Sequence, residues 1–279
     1  MGSLYLNLPY LLPRLVRHFL PEKLVRALLL RNIIIRPGLE TSSPLAAVQR
    51  YADVLAGRGL SFRGKRILVF GYGGRFDIGF GLLKEGAAHV ILCDRYAPPD
   101  EAHNRQLFGA EEKYFHVEKQ GLRPRPEWIT LLDADIRDVE AAGGIEPVDI
   151  VLSSSVYEHV EDVEGITGAL AGLTGSDGLH IHFIDLRDHF FKYPFEMLRF
   201  SEGVWRKWLN PSTNHNRYRL WDYSRAFEAC FGQVEIEVLA SEEEAFRRIK
   251  PHIRPEFLSG DPTEDAVTLI RLIASQPRA

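Results

Sequence analysis

A chain of 279 residues with 45% hydrophobic side chains is long enough to bury a full α/β core, as one main domain with an appendage. Its formal charge of −4 excludes any general attraction to nucleic acid. The two cysteines, Cys93 and Cys230, stand far apart within apolar patterns, which argues against a disulfide framework and suits buried thiols in a cytoplasmic setting.

From Leu4 to Ile35 the chain is rich in Leu and Ile and carries Arg14, Arg17, Lys23, Arg26 and Arg31 against the single acid Glu22. Pro9, Pro13 and Pro21 break it into short pieces, and no run reaches the roughly 20 apolar residues of a membrane span. A signal peptide is also excluded, since no basic start leads into an unbroken apolar run and a small-residue cleavage site. Two readings stay open: a helical cap packed on the main domain or on a second copy in a homodimer, and a basic amphipathic helix resting peripherally on a membrane. Ser43 as N-cap, Pro44 at the first helical position and apolar residues 45, 48, 51, 54 and 55 then predict a helix that Gly57 to Gly59 end. Residues 1–60 are read as a helical N-terminal extension and 61–279 as the main domain.

The organising stretch runs from Lys65 to Asp94. A short apolar run, Ile67 to Phe70, enters the glycine cluster Gly71, Gly73 and Gly74, and a helix-period segment from about Arg75 to Gly86 follows. A second apolar run, Val90 to Cys93, stops at Asp94. Strand, glycine turn, helix, strand and terminal acid make a nucleotide-binding unit, in which glycines permit a sharp turn and close backbone approach while the acid accepts ribose hydroxyls. A dinucleotide fingerprint starting at Gly71 would need glycine or alanine at its sixth position, where Phe76 stands. That weighs against NAD and favours S-adenosylmethionine (SAM), which has no pyrophosphate.

Beyond Asp94 the pattern weakens through Pro98, Pro99, Pro124 and Pro126, with a short helix expected near 101–108. Strands are then predicted at 129–132, 148–155 and 178–186, the first ending in the acidic residues 133–138. Residues 187–217 interrupt the alternation with Phe190, Phe191, Tyr193, Phe195, Phe200, Trp205 and Trp208, read as an aromatic lid. A helix at 221–231 and strands at 234–241 and 266–275 close the chain, the last strand antiparallel because no crossover helix precedes it. The fold class is therefore α/β: a doubly wound, seven-stranded, mostly parallel sheet with a terminal antiparallel strand.

Across roughly Gly64 to Ser275 this arrangement resembles the class I SAM-dependent methyltransferases. The resemblance implies that Gly71, Tyr72, Gly73 and Gly74 lie against the methionine part of SAM. It further implies that Asp94, with Arg95 beside it, holds the ribose, and that Asp135 and Ile136 frame the adenine. The segment VDIVLSSSVYEHV is similar to the family's D-x-V-x-x-x-x-V-x-E-H element, which places Ser153 and Ser154 at the methionine end and Glu158 and His159 just after it. Some quinone-pathway relatives use an E-x-x-E-H metal cluster here; Ser155 takes the first glutamate's place, so no metal is expected, although Asp185, Asp188 and His189 could supply other ligands.

His159 and His189 are the candidate catalytic bases. Each follows a strand at the edge where open α/β sheets bind ligands, and each is weighed against a structural role. Asp188 could orient His189. His180 and His182 share one face of a strand and are read as core histidines. Rings of the lid could wall an acceptor pocket, with Arg187, Arg217 or Arg219 near an anionic group and Asn214, His215 and Asn216 reaching in, or could simply pack the lid onto the domain. The expected function is methyl transfer to a small-molecule acceptor, most readily an oxygen nucleophile, in natural-product, quinone or glycan tailoring. The alternatives are an NAD(P)-dependent oxidoreductase, and an inactive methyltransferase-like protein that binds a membrane surface or a partner. RNA fits poorly, with Lys192, Arg199, Arg206 and Lys207 among aromatics as the feature in its favour.

Overall fold

The computed structural model describes residues 7–19, 43–107, 112–118, 121–189, 192–210 and 215–278. The strands are β1 (Arg66–Phe70), β2 (His89–Cys93), β3 (Phe115–Glu118), β4 (Gly121–Pro124), β5 (Ile129–Leu132), β6 (Val148–Ser154), β7 (Thr174–Asp185), β8 (Phe231–Ser241) and β9 (Val267–Pro277). Seven form one sheet in the order β5-β2-β1-β6-β7-β9-β8. β5, β2, β1, β6 and β7 pair parallel, while β9 runs antiparallel between β7 and β8. The seven expected strands and the reversed last one are all present.

Apolar runs in the central strands follow from burial on both faces, because alternate side chains point to opposite sides. Ile67, Val69, Val90, Leu92, Ile150 and Leu152 face one cluster with α2 (Pro44–Ala56) and α3 (Asp77–Lys84). Leu68, Ile91, Cys93 and Val151 face the other, with α5 (Val163–Gly172) and α6 (Leu220–Cys230); α4 (Ile136–Ala141) joins them through Ile136. α2 is therefore a layer of the core: Ala47, Val48, Tyr51, Val54 and Leu55 are all buried, so the apolar cluster crosses the expected boundary at residue 60.

Other differences have local causes. α3 begins at Asp77, two residues later than expected, and the Phe76 N–H ahead of it donates to Asn104 Oδ1 at 3.0 Å. The stretch expected to be poor in structure contains the β3–β4 hairpin, whose Phe115 and Leu122 join the core, while the short helix expected near 101–108 is present at Glu101–Asn104. The charged connection before β9 forms α7 (Glu243–Ile249), anchored by Phe246. A third apolar cluster gathers Phe195, Met197, Leu198, Trp205, Leu209 and Phe246, with Leu11 and Leu15 of α1 (Leu8–His18) packed against it. Phe190, Phe191, Asn214 and most of the N-terminal segment lie outside the described residues. Among the described residues no helix is long and apolar enough to cross a membrane.

His180 and His182 are core histidines, as expected. They form a chain in which Thr174 Oγ1 meets His180 Nε2 at 2.8 Å, His180 Nδ1 meets His182 Nε2 at 3.3 Å, and His182 Nδ1 meets Ser153 Oγ at 2.7 Å. Burial pushes His180 down to about 3, and burial together with His180 holds His182 well below its ordinary value. Both rings stay neutral in the fold, whereas the unfolded chain takes up protons near pH 6.5. The stability they contribute is complete above that pH and is lost as pH falls from about 6.5 towards 3. Between pH 7 and pH 5 His180 alone should remove about 2 kcal/mol. Urea unfolding of His180→Gln should show a correspondingly shallower loss over this interval, and an unchanged slope would mean that the ring titrates freely in the fold.

Candidate active site

Parallel pairing brings the ends of β5, β2, β1, β6 and β7 to one edge, and the expected site residues follow those ends. The Gly71 N–H closes the turn after β1 on the Cys93 carbonyl at 2.8 Å. Gly71 and Gly74 have φ of +83° and +80°. A Cβ at Gly71 would stand 2.4 Å from a Val156 methyl, and one at Gly74 2.3 Å from the Pro98 carbonyl oxygen, so both positions demand glycine. Asn104, which spacing did not single out, latches this loop: buried, it donates to the Gly74 carbonyl at 2.9 Å. Tyr72 is buried beside Phe76, and its hydroxyl is held protonated by burial and by Asp94 and Asp133.

Asp94 faces the loop as expected. One oxygen accepts the Gly73 N–H at 3.1 Å and the other the Tyr96 and Ala97 N–H groups at 2.8 Å each, which leaves acceptor capacity for a hydroxyl. Arg95 reaches Asp135 at 2.5 Å and so ties the end of β2 to the end of β5. Asp135 also caps α4 through the Arg137 N–H at 3.0 Å. Hydrogen bonds from the Arg137 side chain hold its carboxyl down to about 2. Ile136, expected beside the adenine, is buried in the cluster of α5 and α6. It begins a helix whose inner face is apolar, and that geometry turns it inward.

At the end of β6 the hydroxyl of Ser153 is engaged with His182 in the core, so any contact it offers the crevice comes from its backbone. Ser154 Oγ lies 3.4 Å from a guanidinium nitrogen of Arg50, a residue of α2 whose guanidinium lies over the Phe183 ring, 3.5 Å from its centroid. Arg50 was not singled out because nothing in the helical pattern of α2 distinguishes it from a solvated charge. Ser155 adopts φ +56° and turns the chain into the helical turn Tyr157–His159. The structure brings His159 and His189 together, with ring centroids 4.7 Å apart, and adds His215 at 5.8 and 5.0 Å from them. Ligand atoms of Glu158, His159 and His189 all lie within 4.8 Å of one another.

Residues of the insertion divide between packing it onto the domain and lining a cleft beside it. Phe195 and Trp205 are buried in the third apolar cluster, so they fasten the insertion to the domain. Arg217 donates to the carbonyls of Met197 and Phe200 and pairs with Glu202 at the wall of the cleft beside His215, whereas Arg219 is held by the carbonyls of Leu186, Asp265 and Val267. Arg187 pairs with Asp185 at 2.7 Å. Asn216 staples the insertion to the turn after β6: its side chain donates to the Tyr157 and Val160 carbonyls at 2.7 and 2.9 Å. A cleft of about 570 Å³ opens beside His215, lined also by Trp205, Asn216, Tyr218, Asp222 and Glu161.

Asp188, expected to orient His189, binds α1. Its two oxygens accept the Tyr10 hydroxyl and an Arg14 N–H. Arg14 also donates to the Leu209 carbonyl at 2.7 Å and lies 4.8 Å from the ring centroids of both Tyr10 and Trp205. Hence α1 covers the insertion with its inner face, while Leu8, Leu12 and Val16 are exposed on its outer one.

No protein-family model and no curated protein matches the chain. Solved structures do. Geranyl diphosphate methyltransferase in complex with SAM matches with a TM-score of 0.51 at 10% identity, over 83% of this chain and 85% of that one. A protein of Nostoc punctiforme PCC 73102, provisionally assigned as an O-methyltransferase, matches with a TM-score of 0.50 at 14% identity, over 97% of this chain and 71% of that one. The chain has the class I methyltransferase fold.

Removing one partner of a buried ion pair leaves the other charge uncompensated, at a cost of about 3–5 kcal/mol. Arg14→Met should therefore destabilise the chain by that order in urea unfolding, and adding Asp188→Asn should restore much of the loss. A loss below about 1 kcal/mol in the single variant would show that α1 is not held through this pair.

Proposed function

We propose that this chain is a SAM-dependent methyltransferase that methylates an oxygen nucleophile of a small-molecule acceptor, with His159 and His189 serving as base. The observation that carries this reading is the convergence at one sheet edge of the glycine loop after β1, Asp94 after β2, and the His159–His189 pair after β6 and β7. With strands about 4.8 Å apart, the ends of β2 and β6 are separated by about 10 Å, a span suited to a ligand with its ribose at Asp94 and its methyl at the turn after β6. Arg50, beside Ser154, supplies a cation for the amino-acid carboxylate of such a ligand.

The same geometry disfavours a dinucleotide. Asp77, in the first turn of α3, puts a negative charge where a pyrophosphate would need a positive helix end. Phe76 fills the space above the sheet, and the close contact of α3 with β2 and β5 falls at Gly79, whose added Cβ would stand 3.2 Å from Leu92 and 3.3 Å from Ile129.

Methyl transfer needs the nucleophile, the methyl carbon and the departing sulfur nearly in line, and most of its acceleration can come from holding two substrates in that geometry. The remaining requirement is to take a proton from the hydroxyl, worth typically about 10²–10⁴ in rate when done by a positioned imidazole. His159 and His189 stand where the methyl group would emerge. The polar lining of the cleft beside His215 supports a small acceptor bearing hydroxyl groups.

Calorimetry should show S-adenosylhomocysteine binding and NADH not binding, and Asp94→Ala should weaken the former by about tenfold or more. His159→Ala combined with His189→Ala should keep S-adenosylhomocysteine affinity within a few fold while methyl transfer to a panel of phenols and hydroxy acids drops by about 10² or more. Tight NADH binding, or full turnover in the double variant, would overturn the assignment of cofactor or base respectively.

A further inference from the structure

Three imidazoles and a carboxylate meet beyond β6 and β7, on three separate segments of the chain. Glu158 and His159 come from the turn after β6, His189 from the segment after β7, and His215 from the far end of the insertion. Their convergence is a tertiary construction: 26 residues separate His189 from His215 in the chain, yet their rings stand 5.0 Å apart.

Glu158 is a buried carboxylate, 1% exposed, beside imidazoles whose neutral form has a lone pair to offer a cation. The chemistry of His215 is more specific. Its Nε2 lies 2.9 Å from the Arg187 carbonyl, which can only accept, so Nε2 carries the proton and Nδ1 carries the lone pair. That Nδ1 is buried and has no hydrogen-bond partner among the described residues.

We propose that Glu158, His159 and His189 bind one divalent metal ion of the zinc class, with His215 completing the wall of the site. Two imidazoles and a carboxylate with room for a fourth ligand form the donor set of an open zinc site. Ligand atoms about a tetrahedral zinc ion stand about 3.3 Å apart, and the present spread of 4.8 Å or less exceeds that by about 1.5 Å at most. The set differs from the one that the sequence offered. Asp185 and Asp188 are occupied with Arg187 and with Tyr10 and Arg14, whereas Glu158 and His159 take part, joined by a histidine from the segment after β7.

The three donors follow β6 and β7, at the sheet edge where the acceptor would sit. A hydroxyl bound there would lose its proton more readily, and the histidines would then act as ligands in place of bases; this role, unlike the metal site itself, rests on the methyl-transfer reading.

The full-length chain, stripped with a chelator and dialysed against Zn²⁺ or Co²⁺ at pH 7.5, should retain about one ion by elemental analysis, and the cobalt form should show the intense visible bands of four-coordinate nitrogen and oxygen ligation. His189→Ala and the near-isosteric Glu158→Gln should each weaken binding about 100-fold or more, while His116→Ala, on β3 away from the site, should leave it unchanged. Lowering the pH to 5.5 should release the ion as the imidazoles take up protons. Failure to retain either ion, or affinity that survives both site variants, would overturn the proposal, and circular dichroism of each variant separates ligand loss from unfolding. S-adenosylhomocysteine binding measured on the same samples keeps the two readings apart: metal retained without it sinks the methyltransferase assignment alone, and the converse sinks the metal site alone.

Discussion

Everything at the candidate site depends on parallel pairing. β5, β2, β1, β6 and β7 run the same way, so the segments that leave them emerge along one edge, and residues far apart in the chain become neighbours there. Register sets the result: Phe70 opposite Cys93 and Ser154 opposite Phe183 align the ends to within a residue. An antiparallel neighbour would have sent one of these segments to the far edge. The one reversed strand, β9, lies beyond β7, where it does not disturb that alignment.

Much of this was legible in the sequence, for an identifiable reason. Strands buried on both faces must be apolar, and Ile67 to Phe70, Val90 to Cys93 and Ile150 to Leu152 announce themselves by that property. Glycines with positive φ at 71, 73 and 74 likewise cannot be replaced without strain, so the loop is visible in composition. Less visible was what depends on which neighbour a side chain finds. Ser153 turns to His182, Ile136 faces the core, and Asp188 takes Tyr10 and Arg14, and none of these pairings follows from spacing. The β3–β4 hairpin was missed because its short strands carry prolines and charges, with Phe115 and Leu122 alone marking an inner face.

The arginines of the insertion show how composition misleads about function. Arg217 and Arg219, set among aromatic residues, suggested recognition of an anion. Both are buried and donate to main-chain carbonyls, Arg217 pairing with Glu202 as well, and a planar guanidinium with five N–H donors satisfies several acceptors that no regular element would reach. Arg50, on an ordinary amphipathic helix, reaches Ser154 at the end of β6. Position at the sheet edge, more than residue type, separates the two groups.

Asn216 fastens the insertion to the turn bearing His159, since its side chain holds two carbonyls of that turn and its own N–H donates to the Glu158 carbonyl at 2.9 Å. The two segments are thereby one mechanical body. A displacement of residue 216 must therefore either break three hydrogen bonds at once or draw the turn along with it.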